Sequence, residues 1–187
     1  WMDFLRHFDQ SFPYLETEDS VGALLPYDDG RLAFFALMPE DSGADFGGWL
    51  EGLSGEELSR LIRSAGEQEE SFFLRLTLPK FEAEWHGELQ DILSALGLDL
   101  AFTPGAADFS RMGDDPDGYF LSRVIHAAKI EVNEKGTEAA AATMVDAVGA
   151  GAPVEEPQGI QLDFDRPFLY GIVDRQNGVP LFLGTFE

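Results

Sequence analysis

The stretch from Lys129 to Gly159, KIEVNEKGTEAAAATMVDAVGAGAPVEEPQG, starts like a strand, turns at a glycine, passes through four alanines and ends in an acidic, proline-bearing connection. Its middle has two readings. By intrinsic propensity TEAAAATMVDAV is a surface helix, with Thr137 as its cap and Glu138 suited to the N-terminal turn. By alternation it is a strand able to enter a sheet. One phase holds Thr137, Ala139, Ala141, Thr143, Val145 and Ala147, all small or β-branched and none charged. The other phase, Glu138, Ala140, Ala142, Met144, Asp146 and Val148, carries both charges. Entry in that register keeps the carboxylates in water, and a slip of one residue buries one at a cost on the order of several kcal/mol. Gly136 permits the backbone rotation that entry requires. No proline between Gly136 and Ala152 removes a ladder donor.

The composition narrows what the surrounding chain does. Its 187 residues are 44% hydrophobic with 16 Phe, enough for one packed domain and too apolar for wholesale disorder. A formal charge of −23 repels phosphate backbones and anionic lipid, so neither nucleic acid nor a membrane surface is expected as a partner. Cysteine is absent, which excludes disulfides, thiolate metal sites and a Cys nucleophile. No stretch approaches the ~20 apolar residues of a membrane span. The chain opens WMDFLRHF, with neither a basic leader nor an apolar signal core, and its start at Trp1 reads as a segment of a longer protein.

Outward from the quoted stretch, strands dominate. GALLPYDDGRLAFFALMPE (22–40) reads as a hairpin, with a DDG turn and one buried strand. In FGGWLEGLSGEELSRLIRSAG, Ser54 three residues ahead of Glu57 is a capping box, so a helix starts there. SFFLRLTLPKFEAEW places Phe72, Leu74, Leu76 and Leu78 on one side of a strand, with Pro79 and Lys80 at a bend or edge. GELQDILSALGL reads as a short amphipathic helix stopped at Gly97. YFLSRVIHAAKIEVNEKG is a long β-rich segment, and PFLYGIV and VPLFLG are late strands flanking an Asn-Gly hairpin signal. The predicted class is α+β with large antiparallel sheets and two or three short helices.

The order of four segments resembles the serpin family: LLPYDDGRLAFFALMPE; LPKFEAEW with LGLDLAFTPGAADFS; LSRVIHAAKIEVNEKGTEAAAAT; and DRPFLYGIVDRQNGVPLFLG. EVNEKGTEAAAAT is the most specific of these. The chain departs from the family's pattern at Gly87, where an aromatic is common, at Arg111 after ADFS, at Thr185 after the last glycine, and in a longer connection before Pro167. The resemblance implies that residues 1–187 are the C-terminal part of a single serpin domain, with 137–160 as its reactive-centre loop. It also implies a missing N-terminal half, which the chain needs as a partner before it can inhibit. Exposed sheet edges could otherwise pair with other chains.

What the resemblance implies chemically is a protease inhibitor of the suicide type. A target serine protease cuts the exposed loop, is held as an acyl-enzyme, and is distorted when the cut loop inserts into the large sheet. No cofactor is needed, and an extracellular or secreted setting is implied by the family alone. The family's hinge falls on Glu134, Lys135, Gly136, Thr137, Glu138, Ala139, Ala140, Ala141 and Ala142. Its usual spacing from Gly136 puts the cleaved bond between Ala150 and Gly151, with Val148 and Ala152 as alternative registers. A small residue there suits an elastase-like or subtilisin-like protease; no Arg or Lys lies between Lys135 and Arg166 for a trypsin-like one. Lys80 and Glu134 are expected to pair where the loop enters, against the plainer reading of two solvated charges. Such a pair, if exposed, is worth only ~0–1 kcal/mol. His126 alternates with Val124 and Ala128, which reads as a packed core histidine, and the resemblance implies that it is hydrogen-bonded where the sheet parts. A non-inhibitory binding protein whose loop is merely a substrate is the alternative, favoured by a charged or bulky residue in the entering phase.

Nothing else in the sequence carries a site. His7 and His86 have no neighbouring ligand pattern, and DDPDG (114–118) lacks the spacing of a calcium loop. There is no G-x-S-x-G and no phosphate-cradling glycine loop, so no enzyme active site and no metal are expected.

Overall fold

The computed structural model describes residues 4–66, 72–113, 118–133 and 159–187. They form two compact units, Trp1–Lys80 with Val132–Glu187, and Phe81–Glu131.

The first unit is built on the hairpin of β3 (Ser20–Pro26) and β4 (Leu32–Pro39). Its turn forms where the DDG signal lies. The Gly30 N–H donates to Tyr27 O at 2.8 Å, and Asp29 Oδ1 accepts from Arg31 N and Leu32 N at 3.0 and 3.1 Å. Gly30 takes φ 64°, a conformation most side chains resist. Both strands are buried along nearly their whole length, not β4 alone. Such continuous apolar runs belong to strands covered on both faces. β2 (Tyr14–Glu16), β9 (Phe168–Asp174) and β10 (Val179–Phe186) extend the hairpin to an antiparallel sheet of order β10-β9-β4-β3-β2. At its centre a Cβ on Gly171 would stand 2.2 Å from Phe182 O and 2.7 Å from the Phe35 ring, so only glycine fits there.

One face of this sheet is covered by helix α2 (Gly55–Gly66), whose Leu58, Ile62 and Ala65 pack with Leu15, Leu24, Phe35, Leu37 and Val173. The helix starts where the capping box places it. The Glu57 N–H donates to Ser54 Oγ at 3.2 Å and the Ser54 N–H to Glu57 Oε2 at 3.0 Å. A second short helix, α1 (Phe46–Gly52), precedes it and is capped by Asp45, whose side chain accepts from Gly48 N at 3.2 Å. A separate sheet has β5 (Phe72–Pro79) at its centre, antiparallel to β1 (Phe4–Phe12) and parallel to β8 (Ile160–Asp163). The alternation read in β5 holds: Leu74, Leu76 and Leu78 are at most 1% exposed.

In the second unit β6 (Phe81–Glu88) pairs with β7 (Ile125–Val132). The long β-rich segment expected from Tyr119 becomes a strand only at Ile125. Before that the backbone bonds elsewhere: Leu121 N–H donates to Ala101 O and Val124 O accepts from Leu89 N, both at 2.9 Å. Helix α3 (Gln90–Leu93) is a single turn that widens over Ser94–Leu98, leaves helical geometry at Gly97 (φ 97°) and tightens over Asp99–Phe102. Its apolar residues Ile92, Leu96 and Leu98 are 51–76% exposed, so the amphipathic stripe is present but uncovered.

Candidate functional site

The segment singled out by the sequence leaves from β7 and returns at β8. β7 alternates along its last four residues, with Ile130 and Val132 each 8% exposed and Lys129 and Glu131 turned to solvent. On the solvent face Lys129 Nζ donates to Glu82 and, at 2.8 Å, to Glu84 Oε1, both on β6. The two carboxylates raise the Lys129 pKa, and the ammonium holds Glu84 below the usual carboxylate range. This cross-strand clasp ties β7 to β6. The spacing E-x-E opposite a Lys is its sequence signal, which identifies no partner until β6 and β7 are paired.

The other face of β7 carries His126, in step with Ala128 and Ile130. Its ring lies 5.8 Å from that of Trp85, and a Cβ on Gly87 would meet the same indole at 2.7 Å. Gly87 therefore makes room for Trp85, which explains a small residue there. In these 187 residues His126 is exposed, and Trp85 beside it is 49% exposed.

Lys80 is the one residue between the end of β5 and the start of β6, and it is half-buried. Its expected partner Glu134 lies outside the described residues. So do Lys135, Gly136, Thr137, Glu138 and Ala139 to Ala142 of the hinge, and the Ala150–Gly151 bond. The return end is firmly seated. Leu162 is 3% and Phe164 1% exposed, Phe164 N–H donates to Thr77 O at 2.8 Å, and the Phe164 and Phe168 rings meet edge to face at 5.1 Å. Residues 134–158, twenty-five in all, follow β7 in the chain, precede β8 and lie outside the described residues.

A second feature escaped the sequence reading. The β3–β4 and β9–β10 turns are locked together by Arg31, which donates from Nε and Nη2 to Asp174 Oδ2 at 3.0 and 2.8 Å. Arg175 Nη1 returns a bond to Gly30 O at 2.8 Å. Asp174 is 5% exposed and also caps its own turn through Gln176 N, and Arg31 chiefly holds its carboxyl below the usual range. Partners so distant in sequence leave no local signal. Among the described residues no cluster of His, Cys, Asp and Glu could hold a metal ion, and no helix is long and apolar enough to cross a membrane.

Comparison with known proteins agrees with the fold and the segment order. The family model described as "Serpin (serine protease inhibitor)" matches residues 2–187. An uncharacterised serpin-like protein of Thermococcus kodakarensis is 32% identical over 181 residues, 96% of this chain and 40% of that protein. Human plasminogen activator inhibitor 2 is 37% identical over 181 residues, 93% of this chain and 41% of that protein. The chain therefore spans about two-fifths of the length of these relatives. Among solved structures, the thermophilic serpin tengpin in its native state superposes with a TM-score of 0.76 at 32% identity, covering 98% of this chain and 45% of that one. A tumour-suppressing serpin gives 0.76 at 25% identity over 99% and 46%. The chain belongs to the serpin family, with the α+β fold of that family.

Proposed function

We propose that the protein containing this chain traps a serine protease by offering residues 134–158 as a substrate. The protease's serine oxygen attacks the Ala150 carbonyl carbon, the Ala150–Gly151 C–N bond breaks, and the serine proton passes through the protease's own base to the leaving Gly151 amine. The ester that remains joins Ala150 to the protease. The freed strand from Thr137 onward then enters the large sheet beside β7, and the acyl-enzyme is distorted before water reaches it.

The observation that carries this reading is the phase of the segment. Every residue in the entering phase from Thr137 to Ala147 is small or β-branched, while Glu138 and Asp146 fall together in the other phase. Small residues at the cleaved bond favour an elastase-like or subtilisin-like target. The 187 residues supply one flank of the entry site, so expressed alone they are expected not to inhibit.

Two neighbouring substitutions test the reading in the full-length protein. Ala141→Arg places a charge in the entering phase, where burial costs on the order of several kcal/mol, and Ala142→Arg places it in the solvent phase. Ala141→Arg should turn the inhibitor into a substrate, with the yield of covalent adduct falling at least tenfold. Ala142→Arg should leave the yield within about twofold, since exposed substitutions cost little. Equal behaviour of the two variants would remove the basis for strand entry.

A further inference from the structure

We propose that a cavity of about 610 Å³ walled by α1, α2 and the β2–β3 turn binds an organic cation, a primary ammonium or guanidinium group on an apolar stem. The volume falls within the ~300–1,000 Å³ typical of small-molecule sites. It lies wholly within the first unit and owes nothing to the loop.

The inner wall is apolar. Trp49, Leu53 and Leu61 are half-buried there and rest on the core cluster that includes Leu15, Leu58 and Ile62. The indole is fixed from two sides: its Nε1 donates to the buried Ser20 Oγ at 3.0 Å, and the Phe46 ring stacks on it at 5.5 Å. A fixed indole at a cavity wall attracts cations through its ring face, Trp being the best of the aromatics for this.

The rim supplies the charge. Asp19 comes from the β2–β3 turn and Glu57 from the first turn of α2, with Glu18 beside them. Hydrogen bonds hold both carboxylates in the ionised form. Asp19 Oδ1 accepts from Ser20 Oγ and Thr17 Oγ1 at 2.7 and 2.9 Å, and Glu57 Oε2 accepts from Ser54 Oγ at 2.7 Å. These bonds lower both pKa values, yet the charge of Asp19 acts on Glu57 in the opposite sense. Arg60 lowers the Glu57 pKa more than Asp19 raises it, yet Glu18, Asp19 and Glu57 outnumber that one cation, so the rim stays net negative and favours a positively charged ligand. Arg60 also reaches the rim but donates to Glu56 Oε1 at 3.2 Å along its own helix. A bare metal ion is a poor fit, because no group of three ligating side chains converges among the described residues. An anion meets net negative charge. The lip is open at Gly52, where a Cβ would meet nothing within 4 Å.

The test is a titration of the intact protein with hexylammonium chloride, following the indole N–H resonance of Trp49 after nitrogen-15 labelling of tryptophan. Hexanol and sodium chloride at matched concentrations are the controls. Hexylammonium should give a saturable shift and the controls none. Gly52→Leu fills the lip without touching a carboxylate, and the pair Asp19→Asn with Glu57→Gln removes charge without changing the walls. Each should weaken binding at least tenfold, with the ligand-free Trp49 resonance reporting that the site is still formed. N-acetyl-lysine methylamide separates the sources: binding as tight as that of hexylammonium assigns the cavity to a side chain of a partner protein, and weaker binding assigns it to a free amine. A hexylammonium shift that fails to saturate, that hexanol reproduces, or that both variants leave unchanged overturns the proposal.

Discussion

Truncating Leu162 to Ala should loosen the return anchor of the loop without unfolding the rest of the first unit. Leu162 is 3% exposed and stands in register with Leu76, itself 1% exposed, in the parallel pairing of β8 with β5. The substitution removes three carbons from a buried site, about 2.4 kcal/mol at ~0.8 kcal/mol per methylene. A residual cavity adds to this, within the ~2–5 kcal/mol range of such changes. β8 has only four residues, at the edge of its sheet and held on one side, so it should open by itself well before the sheet melts. At roughly 1.4 kcal/mol per factor of ten, 2.4 kcal/mol is about a 50-fold rise in local opening. Amide hydrogen exchange of the full-length protein reads it directly. The amides of Gln161 to Asp163 should exchange about 50-fold faster while those of β4 and β9 stay unchanged. Equal acceleration in β4, β9 and β8 would mean that β8 opens only with the whole unit, and the idea of a separate return anchor would be wrong.

Further consequences follow from other contacts. Asp174 has a folded pKa below its unfolded value, so its bond to Arg31 stabilises the fold above about pH 4 and is lost as pH falls through the depressed value. Asp174→Asn should lower the melting temperature at pH 7 and shrink the drop between pH 7 and pH 3; an unchanged drop would remove Asp174 from the acid response. Gly171→Ala forces a Cβ against the Phe182 carbonyl and should cost at least about 1–3 kcal/mol in chemical denaturation, a neutral result showing that β10 moves aside freely. Ser54→Ala breaks the capping box and should cost about 1 kcal/mol, measured the same way, whereas Ser54→Thr should cost less.

The parts of the fold legible in the sequence are those whose signals are local. The β3–β4 hairpin announces itself by two apolar runs around DDG, α2 by Ser54 and Glu57, and β5 by strict alternation of leucines. Helix α1 was hidden because Gly47 and Gly48 argue against a helix, and the signal that overrides them, the Asp45 cap, is a single side chain. The early start expected for β7 failed because Tyr119–Val124 is rich in strand formers whose backbone bonds go instead to Leu89 at the start of α3 and to Ala101 in the tightened stretch after it. At the candidate site the loop phase is a period-two pattern within one segment, and that segment lies outside the described residues. The Lys129 clasp and the Arg31–Asp174 lock depend on which strands become neighbours, and alternation within one strand carries no such information. His126 shows the same limit: alternation gave its face, but exposure depends on what covers that face.

The most direct test of protease trapping is a denaturing gel of the full-length protein after mixing with a pancreatic-elastase-like and a subtilisin-like protease, with the released C-terminal peptide weighed. Trapping predicts an adduct that survives boiling and a peptide that begins at Gly151. Cleavage within 134–158 without an adduct, for both proteases, would contradict it and leave the segment as a substrate loop on a binding protein.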